Sequence, residues 1–185
     1  MKKLILLVLL SLPLLINAGF AQCHSGKKSH YTSSKNHKKD IVDVAASSDE
    51  FSTLVAAVKA ADLVNTLKSD GPFTIFAPSN TAFSKLPSGT VESLLEPKAK
   101  GTLTSILTYH VVGANISAET LVNSINAAGG AFDVKTVNGN TLTAKIMNGN
   151  PVLIDSKGNK SFVTQTDLEG SNGVIHVIDA VVMPL

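Results

Sequence analysis

The amino-acid character of this 185-residue chain changes abruptly at residue 40, and the change confines any folded domain to residues 40–185. Residues 24–39 read HSGKKSHYTSSKNHKK, with five lysines, three histidines and no carboxylate. Such a segment buries too little apolar surface to offset the entropy lost on ordering it. We therefore expect a basic, disordered tether over residues 22–39 and one domain of ordinary size over residues 40–185.

The N-terminus has the pattern of a secretory signal peptide. Two lysines precede an apolar run over residues 4–16, and small residues come after it at Ala18, Gly19 and Ala21. The run is too short to span a bilayer. A buried N-terminal helix of a cytoplasmic protein is the alternative, but the polar residues after the run do not suit a core. We predict a signal peptide over residues 1–21, cleaved after Ala21 or after Ala18, and hence a secreted or extracytoplasmic protein, whether extracellular, periplasmic or on the cell surface.

The only cysteine, Cys23, offers a different N-terminus. Lipid attachment there would anchor the chain to a membrane, although Phe20 and Gln22 both depart from the usual lipoprotein pattern. If Cys23 stays unmodified, it is a free thiol that could link two chains. A single cysteine excludes an intramolecular disulfide and any C-x-x-C site, so the domain depends on its hydrophobic core alone.

Charge separates the tether from the domain. All fourteen carboxylates lie from residue 40 onward, with nine of the sixteen lysines, so the domain carries a net charge of −5. Arginine, the residue favoured for phosphate and base recognition, is absent from the chain, which argues against nucleic-acid binding. The tether lysines suit an anionic envelope surface, an acidic polysaccharide or a plain solvated spacer. The tether histidines match no defined metal site.

Helical patterns dominate the first half of the domain. Ser47 and Glu50 form a candidate capping box before apolar residues at helical spacing, and Gly71-Pro72 ends the helical region. Ser88 is a candidate N-cap for a helix that ends at Leu95. Pro97 is placed to begin the next helix.

Strand patterns dominate the second half. Short strands are predicted at 73–77 and 109–112, and later strands reach a last apolar one over 173–183. Asn138-Gly139 predicts a hairpin with a type I′ turn. Helices followed by strands in separate blocks favour an α+β domain.

Three stretches carry a family resemblance. Residues 74–83 read TIFAPSNTAF, residues 109–112 read YHVV, and residues 173–184 read GVIHVIDAVVMP. In this order they resemble the signatures of fasciclin-type domains, over essentially all of residues 40–185. The resemblance implies a wedge of two β-sheets with several short α-helices packed against them, in a family of extracellular adhesion and matrix proteins.

The resemblance singles out Tyr109 and His110, which occupy a motif that animal members are thought to use in integrin binding. It implies a binding role for both residues. The alternative is structural, with His110 buried and hydrogen-bonded so that it ties the central strand to the turn at Asn80, because an unpaired buried polar group is costly.

Five further motif residues are expected to be structural. Pro78 ends the first strand, and Thr74 and Asn80 belong to strand and turn architecture. His176 should lie on the sheet face of Val174 and Ile178 rather than bind a metal. Asp179 is placed to pin the end of the last strand. These predicted structural residues are Thr74, Pro78, Asn80, His176 and Asp179.

No catalytic motif accompanies these residues. The G-x-S-x-G, H-E-x-x-H, P-loop and dinucleotide patterns are missing, and His110 with Ser79 is the one nucleophile–base pair that can be named. We expect a protein without catalytic activity, cofactor or metal. The predicted function is adhesion or binding to a cell-surface or matrix protein or polysaccharide. The alternative is a carrier or sensor of a small apolar ligand, which requires a deep apolar pocket.

Overall fold

The computed structural model describes residues 38–184. The predicted signal peptide, Cys23 and the tether up to residue 37 lie outside the described residues. None of the helices between residues 38 and 184 is both long and apolar enough to cross a bilayer.

Helices precede most of the strands, which confirms the α+β class. The helices α1 to α7 span Ile41–Ala46, Ser52–Ala60, Val64–Leu67, Asn80–Ser84, Thr90–Leu95, Lys100–Tyr109 and Ala118–Ala127. The strands β1 to β7 span Phe73–Pro78, Val111–Val112, Ala131–Lys135, Thr141–Met147, Asn150–Ile154, Lys160–Gly170 and Gly173–Ile178. Single 3₁₀ turns cover Asp49–Phe51 and Pro97–Ala99.

The seven strands follow the order β2-β1-β7-β6-β5-β4-β3. Strands β1 and β7 pair in parallel, and every other pair is antiparallel. The long strand β6 pairs through residues 160–162 with β5 and from Val163 onward with β7. The two expected sheets are therefore joined, because β6 belongs to both.

Strands β1 and β7 are covered on both faces. On one face Ile75 and Ile175 join a core formed with α1, α2, α3 and α6. On the other face Phe76 and Ile178 join a core formed with α7 and strands β3 to β5. Alternation of side chains along a strand thus divides each of the two strands between two cores.

The two edges of the sheet meet at one point. Strand β2 is one edge and β3 is the other. Val137, two residues after β3, donates its backbone N–H to the carbonyl oxygen of Val111 at 2.8 Å. This hydrogen bond therefore links the edge strand β2 to the loop that follows the edge strand β3.

Two predicted helix caps are wrong. Ser47 comes directly after α1 with αR torsion angles, so its hydroxyl donates to the Val44 carbonyl oxygen instead of capping the next helix. Ser48 is the residue that accepts from the Glu50 N–H, at 3.4 Å. Helix α5 begins after Gly89, not after Ser88, because its N-cap has a φ of 83° that favours glycine.

The predicted hairpin at Asn138-Gly139 is present, but its turn type is wrong. Only Gly139 of the pair has a positive φ. The Asn138 side chain accepts hydrogen bonds from Thr136 Oγ1 and the Asn140 N–H, which stabilise a longer loop. The type I′ turn lies instead at 148–149, where an Asn-Gly pair joins β4 to β5 with φ values of 53° and 81°.

Two predicted strands are shorter than expected. Tyr109 ends α6 and His110 is its C-cap, so only Val111–Val112 is extended. The last strand stops at Ile178, after which residues 181–184 are irregular.

The contact between β1 and β7 leaves no space for a side chain at Gly173. A Cβ atom there would collide with the Phe73 carbonyl oxygen and lie 2.9 Å from its carbonyl carbon. We expect Gly173→Ala to lower the free energy of unfolding by about 2–3 kcal/mol, because the obstructing atoms are backbone. Gly113→Ala is the matched control, since nothing lies within 4 Å of its Cβ. Urea denaturation of both variants tests this, and equal stabilities would contradict it.

Candidate functional site

Tyr109 is fully buried at the end of α6. Its hydroxyl donates to the carbonyl oxygen of Thr141, at the start of β4, at 2.9 Å. Burial raises the pKa of the Tyr109 phenol. The side chain therefore connects α6 to β4 and does not reach the surface.

His110 is 2 % exposed, and both ring nitrogens bind backbone groups. Nδ1 donates to the Ile106 carbonyl oxygen at 2.8 Å, and Nε2 accepts from the Val182 N–H at 3.3 Å. Burial lowers the pKa of His110 to about 4, so the imidazole is neutral at pH 7. His110 thus holds the C-terminal segment against the last turn of α6.

The predicted contact between His110 and the Asn80 turn is wrong, because the His110 ring faces Val182. Asn80 binds the start of α2 instead. Its Oδ1 accepts from the Thr53 N–H at 3.1 Å, and its Nδ2 donates to the Asp49 carbonyl oxygen at 2.8 Å.

Ser79 and His110 do not form a nucleophile–base pair. The Ser79 hydroxyl accepts from the Ala82 N–H as the N-cap of α4, and it bonds to Thr81 Oγ1 at 2.7 Å. Both His110 nitrogens are bound to backbone groups.

Thr74 and His176 fix one irregular segment, residues 114–116. Thr74 Oγ1 donates to the Ala114 carbonyl oxygen at 2.6 Å and accepts from the Ile116 N–H at 2.8 Å. His176 Nε2 donates to the Ile116 carbonyl oxygen at 2.8 Å, while its Nδ1 accepts from the N–H of residue 167 at 3.4 Å. Both side chains are fully buried.

Pro78 and Asp179 lie at the ends of β1 and β7. Asp179 Oδ1 accepts from the Phe162 N–H at 2.8 Å, and Oδ2 pairs with Lys85 at 2.9 Å. Pro78 is the last residue of β1, opposite Ile178 of β7. The structure thus brings Thr74 and His176 to one segment. Asn80, His110 and Asp179 each make separate contacts elsewhere.

Sequence reasoning missed Asp155, which is 5 % exposed. Its carboxylate accepts from the N–H groups of Lys157, Asn159 and Met183 and from the Asn159 side-chain amide. Burial raises the pKa of Asp155, but these hydrogen bonds hold it below its usual value. The stretch Asp-Ser-Lys-Gly-Asn at 155–159 is the turn pattern that could have indicated this residue.

Asn172 is a second residue that sequence reasoning missed. Its Oδ1 accepts from the Ile41 N–H at 3.0 Å, and its Nδ2 donates to the carbonyl oxygens of Leu67 and Ser69. The side chain therefore joins α1 and the end of α3 to the β6–β7 turn. The sequence around Asn172 does not indicate these partners, because they lie more than 100 residues away along the chain.

An apolar cavity of about 260 Å³ lies within the core that β1 and β7 form with α1, α2, α3 and α6. Strands β1 and β7 line it through Ile75, Ala77 and Ile175, and helices α1, α2 and α3 also line it. The lining includes exposed residues, so the cavity reaches the surface; these are Asp43, Ala46, Lys59, Thr66, Lys68 and Val137. A deep apolar pocket was the requirement of the carrier hypothesis.

No metal centre is apparent in the part of the chain that the structure describes. Across residues 38–184, no three side chains of His, Cys, Asp or Glu converge as metal ligands would. The candidate site is therefore the cavity together with the surface around its mouth.

Acid should destabilise the fold through His110. The unfolded chain carries this histidine with a pKa near 6.5, and the folded pKa is about 4. Protons therefore bind the unfolded state first as the pH falls below 6.5, so stability rises with pH across the window from 4 to 6.5. We expect His110 to contribute up to about 3 kcal/mol of this rise.

Urea denaturation between pH 4.5 and pH 7 measures this contribution by comparison with His110→Gln, which cannot titrate. The variant should be less stable at pH 7 yet show a shallower pH dependence. Parallel curves for the two proteins would contradict the neutral, buried state of His110.

Comparison with known proteins agrees with this architecture. A family model described as the fasciclin domain matches residues 49–184. Over 144 residues the chain is 51% identical to protein sll1483 of Synechocystis sp., covering 78% of this chain and 73% of that protein. Over 176 residues it is 35% identical to the immunogenic protein MPB70 of Mycobacterium bovis, covering 92% and 82% of the two chains.

A solved structure shares the fold. The FAS1 domain pair from the insect cell adhesion molecule fasciclin I matches with a TM-score of 0.70 and 22% sequence identity, over 80% of this chain and 51% of that one. The family model and the fold together confirm the resemblance carried by the three sequence motifs. The chain belongs to the fasciclin domain family.

Proposed function

We propose that this protein is an extracytoplasmic, non-enzymatic binding module of the adhesion type, which recognises a cell-surface or matrix protein or a polysaccharide. Its fold matches about half of a FAS1 domain pair from an insect cell adhesion molecule. The signal-peptide pattern over residues 1–21 supports a location outside the cytoplasm.

The proposal rests on one observation, namely that the buried polar side chains are engaged in hydrogen bonds within the fold. Among residues 38–184, every buried side-chain nitrogen and oxygen has a hydrogen-bond partner. Tyr109, His110 and His176 all bind backbone groups. Catalysis requires an acid, base or nucleophile that can reach a substrate, and these groups are engaged in holding the scaffold.

Because Tyr109 and His110 are buried, we place the proposed partner contact on a neighbouring loop. The loop over residues 136–140 presents Val137, which is 50% exposed and one of two exposed large apolar residues in the described range. Tyr109 binds Thr141 next to this loop, and Asn138 Nδ2 donates to the Ser105 carbonyl oxygen of α6 at 3.3 Å. In this proposal Tyr109 stabilises the contact loop and does not itself contact the partner.

Substitution at Val137 tests the proposed contact. We expect Val137→Ser to weaken partner binding by about 1–2 kcal/mol, because an exposed apolar side chain loses its burial in the complex, while the stability of the free protein stays nearly unchanged. Phe162→Ser is the matched control, since Phe162 is the other exposed large apolar residue, at 36%. The secreted protein on coated beads, offered to cells and to protein and glycan arrays, provides the measurement.

The same assay separates the role of Tyr109. Tyr109→Phe removes one hydrogen bond and should lower stability by about 1 kcal/mol without abolishing binding at temperatures where the domain is folded. Loss of binding in Tyr109→Phe at unchanged stability would show that Tyr109 itself contacts the partner. Failure of the unmodified protein to enrich any partner over an unrelated secreted domain would contradict the adhesion proposal.

A second function, carriage or sensing of a small apolar ligand, is favoured by the cavity beneath α1, α2 and α3. The cavity is lined almost entirely by aliphatic side chains and reaches the surface near Lys59 and Lys68. Val137 belongs both to the cavity lining and to the proposed contact loop, so the two proposed binding sites adjoin each other.

A further inference from the structure

We propose that the cavity binds a carboxylate with an apolar tail of about nine non-hydrogen atoms, and that Lys59 at the cavity mouth pairs with the carboxylate group. This inference rests on the carrier function proposed above and names the chemistry of its ligand. It commits to a free medium-chain acid rather than to a membrane lipid.

The two polar side chains inside the cavity, Thr108 and His110, are engaged by backbone groups. The Thr108 hydroxyl is half-buried and donates to the Thr104 carbonyl oxygen at 2.7 Å. His110 is the one titratable residue of its lining that is buried, and backbone groups occupy both ring nitrogens. The rest of the deep lining is aliphatic or aromatic, as at Leu54, Val58 and Phe73. The buried part of a ligand must therefore be a hydrocarbon, since a polar group placed there would remain unpaired.

The cavity volume limits the length of this hydrocarbon. An apolar cavity of about 150 Å³ holds one benzene molecule, and a molecule in liquid water occupies about 30 Å³. On either scale, 260 Å³ accommodates about nine or ten non-hydrogen atoms. The acyl chains of membrane lipids, which span half of a hydrocarbon core about 30 Å thick, are too long to be enclosed.

The charged residues at the mouth select the head group. Lys68 is engaged by two carboxylates, Asp40 at 2.8 Å and Asp43 at 2.6 Å. These contacts raise the pKa of Lys68 and lower that of Asp43, and the two carboxylates more than compensate the Lys68 charge, so Lys68 offers no free positive charge to a ligand. Lys59 also lines the cavity, and among residues 38–184 no carboxylate lies within ion-pair distance of it. Lys59 is the cation left to attract an anionic head group.

Lys59 also lies in the last turn of α2, where a cation favours the helix C-terminus whether or not a ligand binds. A test must separate that role from ligand recognition. Lys98 provides the match, because it is exposed, lies in the last turn of the 3₁₀ segment Pro97–Ala99 and is not part of the cavity lining.

Calorimetric titration of the secreted protein with octanoate, nonanoate, decanoate and dodecanoate tests the cavity. Affinity should rise about fourfold per methylene group while the tail fits, then level off or fall once the tail exceeds the volume. 1-Octanol, which has the same eight-carbon tail as nonanoate and no charge, should bind about three- to fivefold more weakly than nonanoate.

Substitutions assign the binding to this site. Lys59→Met should reduce the affinity for nonanoate to that for 1-octanol, Lys59→Arg should retain it, and Lys98→Met should leave it unchanged. Ala45→Leu fills the cavity from α1, where Ala45 is buried in the lining. This substitution should weaken the binding of nonanoate and of the tail-matched alcohol at least about tenfold. The melting temperature of the ligand-free variant reports whether the domain is still folded.

The outcomes are distinguishable. Equal binding of acid and alcohol, or no effect of Lys59→Met, overturns the head-group assignment and leaves the carrier function in place. No binding of any probe, or full binding in folded Ala45→Leu, overturns both. Retention on anionic phospholipid vesicles together with a failure to bind free nonanoate overturns the free acid in favour of a lipid surface.

Discussion

The parallel pairing of β1 with β7 is the constraint on which the rest of the structure depends. It joins Phe73 to Gly173 across a hundred residues, and it brings two strongly apolar strands side by side. Both faces of this pair must be covered, since a parallel pair with an exposed face would leave apolar side chains in water. One face receives α1, α2, α3 and α6, and the other receives α7 and the meander of β3 to β5. The cavity lies on the helical side of this strand pair.

The polar residues of the motifs solve a problem that this arrangement creates. Irregular segments such as residues 114–116 and 181–184 run over a dry interior, and their backbone groups need partners there. Thr74, His176 and His110 supply those partners. A neutral histidine suits the task, because it donates from one nitrogen and accepts at the other. The same residues that look functional in the sequence thus hold the scaffold together.

Much of this fold could be predicted from the sequence. Apolar periodicity and turn residues placed most helices and strands, and three ordered motifs indicated the family. Local geometry was less accessible, because Ser47 and Ser88 have the chemistry of caps while the backbone torsion angles decide which residue takes the position. Asn138 shows the same limit, since its side-chain hydrogen bonds selected a longer loop than its Asn-Gly pair predicts. Partners distant in sequence, such as those of Asn172, carry no local pattern. The cavity depends on the packing of several elements, so its lining could be known only from the structure.

The near meeting of the two sheet edges at Val111 and Val137 has a consequence for self-association. A free strand edge invites pairing with another chain, and here one edge is only two residues long. The other edge, β3, exposes Asp133 and Lys135, and a second copy aligned along it would have to desolvate both charges. Both edges are therefore poorly suited to backbone pairing with a second copy, so any contact between copies would have to be made by side chains.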